Sequence, residues 1–334
     1  MKLRAVFSRL LVSIFIEKRV KKRMKRIAEI DFLKGVLILL VISFHLVYIE
    51  ELYPYAKQVV YTFHMPAFLV ISGFLRGKRK QPKDFIRSLV WLAVPYTVME
   101  SGYMMMAAVL PIADHIDNFS VTVFFEKLLL HPLGPYWYLH TIILCEGICY
   151  VTAYLVHGKG QAFMLLSVLI LYVCSRTLGI MSFSMAFYFL IGFFLRKNNI
   201  QLTALCMPSA LSIAVFVILL AKPDNLHSST IHGMLIVYTA ACSILLLSRH
   251  SALKARLWVQ YFGRNSLSIF LFSPLFTILC KYFVPFLSFD QTGIVFWVLS
   301  LTLCVGGSLF IAWTMDRLTL SNLMFGKHIY SVVI

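Results

Sequence analysis

Long apolar runs alternate with short polar connections along almost the whole chain. Runs near residues 33–51, 58–75, 88–110, 136–156, 162–178, 181–195, 202–221, 230–248, 265–285 and 291–315 approach the roughly 20 apolar residues that a membrane-crossing helix needs. This spacing predicts an all-α, polytopic integral membrane protein with about ten transmembrane helices. The fifth and sixth runs are short, with the turn SRTLGIMS between them. The longest connection, near residues 111–135, carries ADHIDNFS and then HPLGPYWYLH and reads as a small lid at the membrane surface. No repeat or low-complexity linker divides residues 31–334, so one domain is expected there.

Composition agrees with the pattern: 60% of residues are apolar and 13% charged, against about 45–50% and 25% in soluble domains. The formal net charge of +17 does not point to nucleic acid, because no soluble segment is long enough to build a basic groove. The cations serve topology instead. With ten spans and both termini cytoplasmic, 26 of the 31 lysines and arginines fall on the cytoplasmic side and 5 outside, as the positive-inside rule requires. A bacterial inner membrane is the expected location. Residues 1–30 form a basic amphipathic extension whose apolar part is too short to span a bilayer; a start at Met24 is the alternative. The seven cysteines are scattered without a CxxC, so neither a disulfide framework nor a metal site is indicated.

Ionisable residues inside apolar runs are expensive and mark function. In EIDFLKGVLILLVISFH, residues 29–45, Asp31, Lys34 and His45 share one helical face. Eleven residues bring Lys34 and His45 to within roughly 20° of each other, across about 16 Å of rise. His64, in VVYTFHMPAFLVISGFL, lies at matching depth on the next, antiparallel run. A neutral imidazole there can act as a general base toward a hydroxyl. The plain structural alternative is a pair of buried histidines hydrogen-bonded to backbone or tyrosine. Asp31 and Lys34 can pair across i,i+3, and the following loop, with Arg76, Lys78, Arg79 and Arg87, faces the same compartment. Such cations either hold topology or grip a phosphorylated ligand. Trp137, Tyr138, His140 and Glu146 open the fourth run; the carboxylate needs a partner, for which His140, His45 or His64 are candidates. Arg264, Asn265 and Ser266 form a polar entrance to the ninth.

Taken together these residues resemble the integral-membrane acyltransferase 3 family, which includes bacterial O-acetyltransferases of surface polysaccharides. The resemblance rests on the basic-x10-His pattern of Lys34 and His45 after Asp31, and on FHMPAFLVISGFL, which looks like the fucose 4-O-acetylase-like branch. It continues through Pro95 and Tyr96, Trp137-Tyr138-Leu139, and residues 263–269. Lysine stands where arginine is commoner, which exchanges a bidentate grip for a point charge. Val90 interrupts an RxxR-like pattern after Arg87, and the histidine often found late in the ninth run is replaced by Ser273-Pro274.

The resemblance implies an O-acyltransferase that takes acetyl-CoA, as acyl donor, from the cytoplasmic side and acylates a sugar hydroxyl. The acceptor is a cell-surface or lipid-linked glycan, with membrane lipid around the protein. Neither a metal nor nucleic acid is expected. His45 and His64 are then catalytic, with His64 a second base or an oxyanion donor. Lys34, Arg76, Lys78, Arg79 and Arg87 hold the donor. Asp31, Trp137, Tyr138, His140 and Glu146 belong to substrate binding. Transfer through an acyl-imidazole is the mechanistic alternative. The rival function is a transporter or flippase of an anionic or lipid-linked glycan, with the buried histidines and Glu146 as a proton relay.

Overall fold

The computed structural model describes residues 27–77, 81–109, 114–156 and 160–326. Lys78, Arg79 and residues 1–26 lie outside these. The described residues form helices with no β-strand: α1 Ala28–Ser43, α2 Val47–Leu52, α3 Pro54–Arg76, α4 Pro82–Val109, α5 Val121–Leu129, α6 Trp137–Leu155, α7 Gly160–Thr177, α8 Phe183–Lys197, α9 Leu202–Leu205, α10 Ala210–Leu220, α11 Ile231–His250, α12 Leu253–Arg264, α13 Ser266–Cys280, α14 Val284–Leu287, α15 Ile294–Arg317 and α16 Leu320–Phe325.

Among the described residues, six helical segments are long and apolar enough to cross a membrane: Pro54–Arg76, Gly134–Leu155, Gly160–Thr177, Ile231–His250, Ser266–Leu287 and Ile294–Arg317. This makes a multi-pass membrane protein. The other four expected spans take different forms. Helices α1, α8 and α10 have 16, 15 and 11 residues. Helix α4 has 28 but falls short of the same apolar standard, because a polar stripe runs along it. That stripe is spaced i, i+4, i+7. The Tyr96 hydroxyl donates to the Leu128 carbonyl at 2.6 Å, Glu100 accepts from the Leu133 N–H at 2.6 Å, and the Tyr103 hydroxyl donates to Asp114 at 3.0 Å. Together they fasten α5 and the turn before α6 against α4, and the expected surface lid is a short amphipathic helix held in this way.

Helix α1 is central, with α3, α11, α12, α13 and α15 packed around it. Glycines permit the closest approaches. A Cβ on Gly35 would strike the Val259 carbonyl, and one on Gly263 the Asp31 carbonyl, so α1 and α12 touch backbone to backbone. Gly73 and Gly192 do the same for α3 and α8, against the carbonyls of Phe189 and Val70. In lipid, where burial of apolar side chains gives helices little reason to associate, such close contact is a main source of cohesion.

The first run departs from its expected form. Instead of continuing to residue 51, α1 ends at Ser43 and the chain turns before α2. No proline causes the break. Tertiary hydrogen bonds stabilise it: the Tyr61 hydroxyl donates to the Phe44 carbonyl at 2.9 Å, and Trp297 donates its indole N–H to Ser43 Oγ at 2.8 Å. A broken helix inside a membrane persists only where freed carbonyls find such partners.

Candidate active site

His45 stands at this break. Its backbone N–H still reaches the Val41 and Ile42 carbonyls, both at 3.1 Å, so the histidine keeps the helical register of α1 without lying on a helix that runs past it. Its ring Nδ1 lies 2.7 Å from the Val41 carbonyl, and His64 repeats the contact at 2.6 Å from the Val60 carbonyl. A carbonyl only accepts, so Nδ1 carries the proton in both rings and Nε2 holds the lone pair. Each neutral imidazole is therefore set up as a base at Nε2. An oxyanion-donor role for His64 would require the imidazolium. As residues, His45 is exposed and His64 buried; both rings contact the Tyr61 ring, with centroids 5.8 and 5.1 Å apart.

Two cavities include sequence neighbours of this cluster in their walls. The first, about 180 Å³, is lined by Lys34, Ile38 and Val41 of α1, by Met65, Phe68, Ser72 and Arg76 of α3, and by Tyr138 and Ser266 among others. Lys34, Ile38 and Val41 are the stripe on which His45 is the next position. The second, about 390 Å³, is lined by Lys57, Gln58, Tyr61 and Thr62 of α3 with residues 226–229. Neither histidine is among the lining residues of these cavities; their shared neighbour Tyr61 walls the second, and Val41 and Met65 line the first.

At the Lys34 end, Asp31 is almost buried and lies 3.4 Å from Lys34 Nζ and 3.6 Å from Arg264 Nε. Two cations share one carboxylate. The i,i+3 pairing read from the sequence is present, and Arg264 is an added member. Asp31 itself does not line the cavity.

Arg76 lines the cavity and forms an ion pair with Glu146, while Ser88 lies 3.3 Å from the guanidinium and 3.5 Å from the carboxylate. This corrects the expectation that a histidine partners Glu146. His140 instead directs Nε2 to the Leu129 carbonyl at 2.9 Å and packs beside Tyr96, centroids 5.7 Å apart. The Tyr138 hydroxyl hydrogen-bonds Ser72 at 2.7 Å and its ring packs on Phe68 and Phe270, so it walls the Lys34 cavity. Trp137 is half-buried beside it and lines neither cavity. Arg87 is exposed and likewise lines neither; its neighbour Ser88 faces the ion pair.

Tyr61, Ser72 and Glu100 were not singled out from the sequence. Glu100 could have been, as a carboxylate deep in an apolar run; it is fully buried with Oε2 unpartnered.

A family profile described as an acyltransferase domain matches residues 27–313. Nodulation protein NolL of Sinorhizobium fredii (strain NBRC 101917 / NGR234) is 27% identical over 164 residues, 47% of this chain and 42% of that protein. The chain therefore spans less than half the length of this relative. No solved structure matches.

Proposed function

This chain belongs to the acyltransferase family whose profile it matches over residues 27–313, and on that premise we propose that it moves an acyl group, acetyl above all, from acyl-CoA to a hydroxyl of a cell-surface or lipid-linked sugar. The observation that supports the reading is the pair of Nε2 bases beside Tyr61, a ring that walls one cavity, while Val41 and Met65, close to the histidines along the chain, line the other.

The donor's phosphates rest at the Lys34 end, beside Lys34 and Arg264, with the basic residues after α3 adding to the attraction. Lys34 and the exposed cations attract phosphate as point charges. Arg76 acts from within its Glu146 pair, as a polar wall of the cavity rather than as an unpaired grip. The acyl-thioester arm lies along Ile38, Val41, Met65 and Phe68, whose apolar surface suits a chain of low charge. In the Tyr61-walled pocket, the acceptor gives its hydroxyl proton to Nε2 of His45, with His64 as a second base. The acceptor oxygen bonds to the acyl carbon, the carbon–sulfur bond breaks, and the departing CoA thiolate takes the proton back from the imidazolium. Ten crossing segments with both termini in the cytoplasm of a bacterial inner membrane complete the reading. They put the donor in the cytosol and the acceptor outside.

The test is direct. Protein reconstituted in lipid with radiolabelled acetyl-CoA is expected to label a glycan acceptor, and His45→Ala to remove that transfer while leaving acetyl-CoA binding intact. Undiminished transfer by His45→Ala would rule out the base, and failure of the intact protein to bind acetyl-CoA would overturn the function.

A further inference from the structure

The pocket walled by Tyr61, the ring that both histidines touch, is built, not incidental. One wall is the first turns of α3, contributing Lys57, Gln58, Tyr61 and Thr62; the other is the segment before α11, contributing Leu226, His227, Ser228 and Ser229. That segment is fixed from several directions. Tyr55 of α3 donates to the Leu220 carbonyl, Tyr188 of α8 to the Ser228 carbonyl at 2.6 Å, and Asn225 to the Leu219 carbonyl at 2.8 Å. Gly233 lies so close to the His227 carbonyl that no side chain fits there. A wall held in this way is preformed, and about 390 Å³ lies within the roughly 300–1,000 Å³ of small-molecule sites.

Its chemistry is uncharged hydrogen bonding around an aromatic ring. Gln58, Ser229 and His227 are exposed, and Tyr61 presents its ring, 37% exposed, while its hydroxyl is used on the Phe44 carbonyl. The one lysine of the lining is neutralised: Lys57 Nζ lies 3.0 Å from Glu50 Oε2 and 5.5 Å from the centroid of the Tyr61 ring. An anionic ligand would have to compete with Glu50 for that cation. A polyhydroxylated ring would not, since hydroxyls both donate to and accept from amide, hydroxyl and imidazole groups and its C–H face can lie on the tyrosine.

We infer that this pocket is the acceptor site and that it selects an uncharged polyhydroxylated ring, oriented by His227, Ser229 and Gln58 over Tyr61. The inference rests on the acyl-transfer reading for its role in catalysis but not for its binding claim. Binding is therefore measured separately, by saturation-transfer NMR on the full chain in lipid nanodiscs, with a panel of neutral methyl hexosides and the matching methyl hexuronosides. A neutral hexoside is expected to bind. His227→Ala and Ser229→Ala are each expected to weaken it about three- to tenfold, the loss of one hydrogen bond, and His227→Gln to restore part of it. Glu50→Gln, by freeing Lys57, is expected to improve hexuronoside binding. In the transfer assay the same alanine variants should raise KM for the hexoside and leave KM for acetyl-CoA within twofold. Stronger binding of hexuronosides by the unaltered protein overturns the inference, as does hexoside binding insensitive to both alanine variants. A rise in KM for acetyl-CoA alone reassigns the pocket to the donor and also overturns it. Hexoside binding at the expected residues, without any transfer from acetyl-CoA, would sustain the pocket and reject the acyltransferase reading.

Discussion

His45 and His64 make the same hydrogen bond: each ring places Nδ1 against the carbonyl four residues earlier, Val41 at 2.7 Å and Val60 at 2.6 Å. Two helices thereby present two Nε2 lone pairs beside one tyrosine ring. The plain structural alternative, backbone-bonded histidines next to a tyrosine, describes the contacts correctly and still leaves each ring ready to take a proton. His45→Ala is expected to lower kcat by about 10²–10⁴, the usual size of a general-base contribution, with unchanged KM for acetyl-CoA. Steady-state kinetics on reconstituted protein checks this, and the smaller of the two effects from His45→Ala and His64→Ala identifies the auxiliary base.

Tyr61→Phe keeps the ring and deletes the hydroxyl that caps the Phe44 carbonyl. The stability loss should be about 1 kcal/mol, typical of one hydrogen bond. If the cap positions His45, kcat should fall by more than that loss of stability explains while KM for either substrate moves little. Thermal unfolding measured beside kinetics separates the two effects, and an unchanged kcat would remove Tyr61 from the positioning of His45.

Glu146 is almost completely buried in its pair with Arg76, whose side chain is 24% exposed. Glu146→Ala leaves the guanidinium without its carboxylate and should cost about 3 kcal/mol, the lower end of the range for breaking buried pairs, because Arg76 keeps some access to solvent. The double variant Arg76→Met, Glu146→Met should be less damaged than Glu146→Ala alone, since no unpaired charge stays behind. Unfolding midpoints of the three proteins decide the matter.

Gly73→Ala tests the backbone contact of α3 with α8. The new methyl would meet the Phe189 carbonyl, and neither helix backbone can move aside cheaply. A loss of about 3 kcal/mol, the upper end of overpacking costs, is expected, with a lower yield of monodisperse protein. Gly102→Ala, where nothing lies within 4 Å, is the control that should be tolerated.

Asp290, in the loop before α15, accepts from the Thr292 hydroxyl and from the Thr292 and Val295 N–H groups. These bonds, the Thr292 hydroxyl foremost, hold its carboxyl below the ordinary 3.8. A folded-state value below the unfolded one stabilises the protein above the unfolded value, and the contribution is lost as pH falls through the lower folded value. Thermal scans from pH 6 downward should show the unaltered protein losing its advantage over Asp290→Asn only in the acid range beneath 3.8. A constant gap between the two proteins would contradict the assignment.

The chain's apolar periodicity determined the helical membrane class, because a membrane crossing needs only length and hydrophobicity, which are local. It also determined the stripe through Lys34 and His45 and the Asp31–Lys34 pair, because three to eleven residues along one helix have fixed relative positions whatever surrounds them. What surrounds them was decided by the fold. The end of α1 at Ser43 has no proline to announce it and exists because Tyr61 and Trp297, 17 and 254 residues away from their partners, supply hydrogen bonds. Helix α12 sits in what read as a connection, and its place against α1 rests on Gly35 and Gly263. Glu146 pairs with Arg76 and Tyr138 meets Ser72, because helix packing sets which side chains meet across tens of residues. Hydropathy carries no record of such contacts. The meeting of the two bases at one tyrosine ring, beside the cavity that ring walls, belongs to the tertiary structure alone.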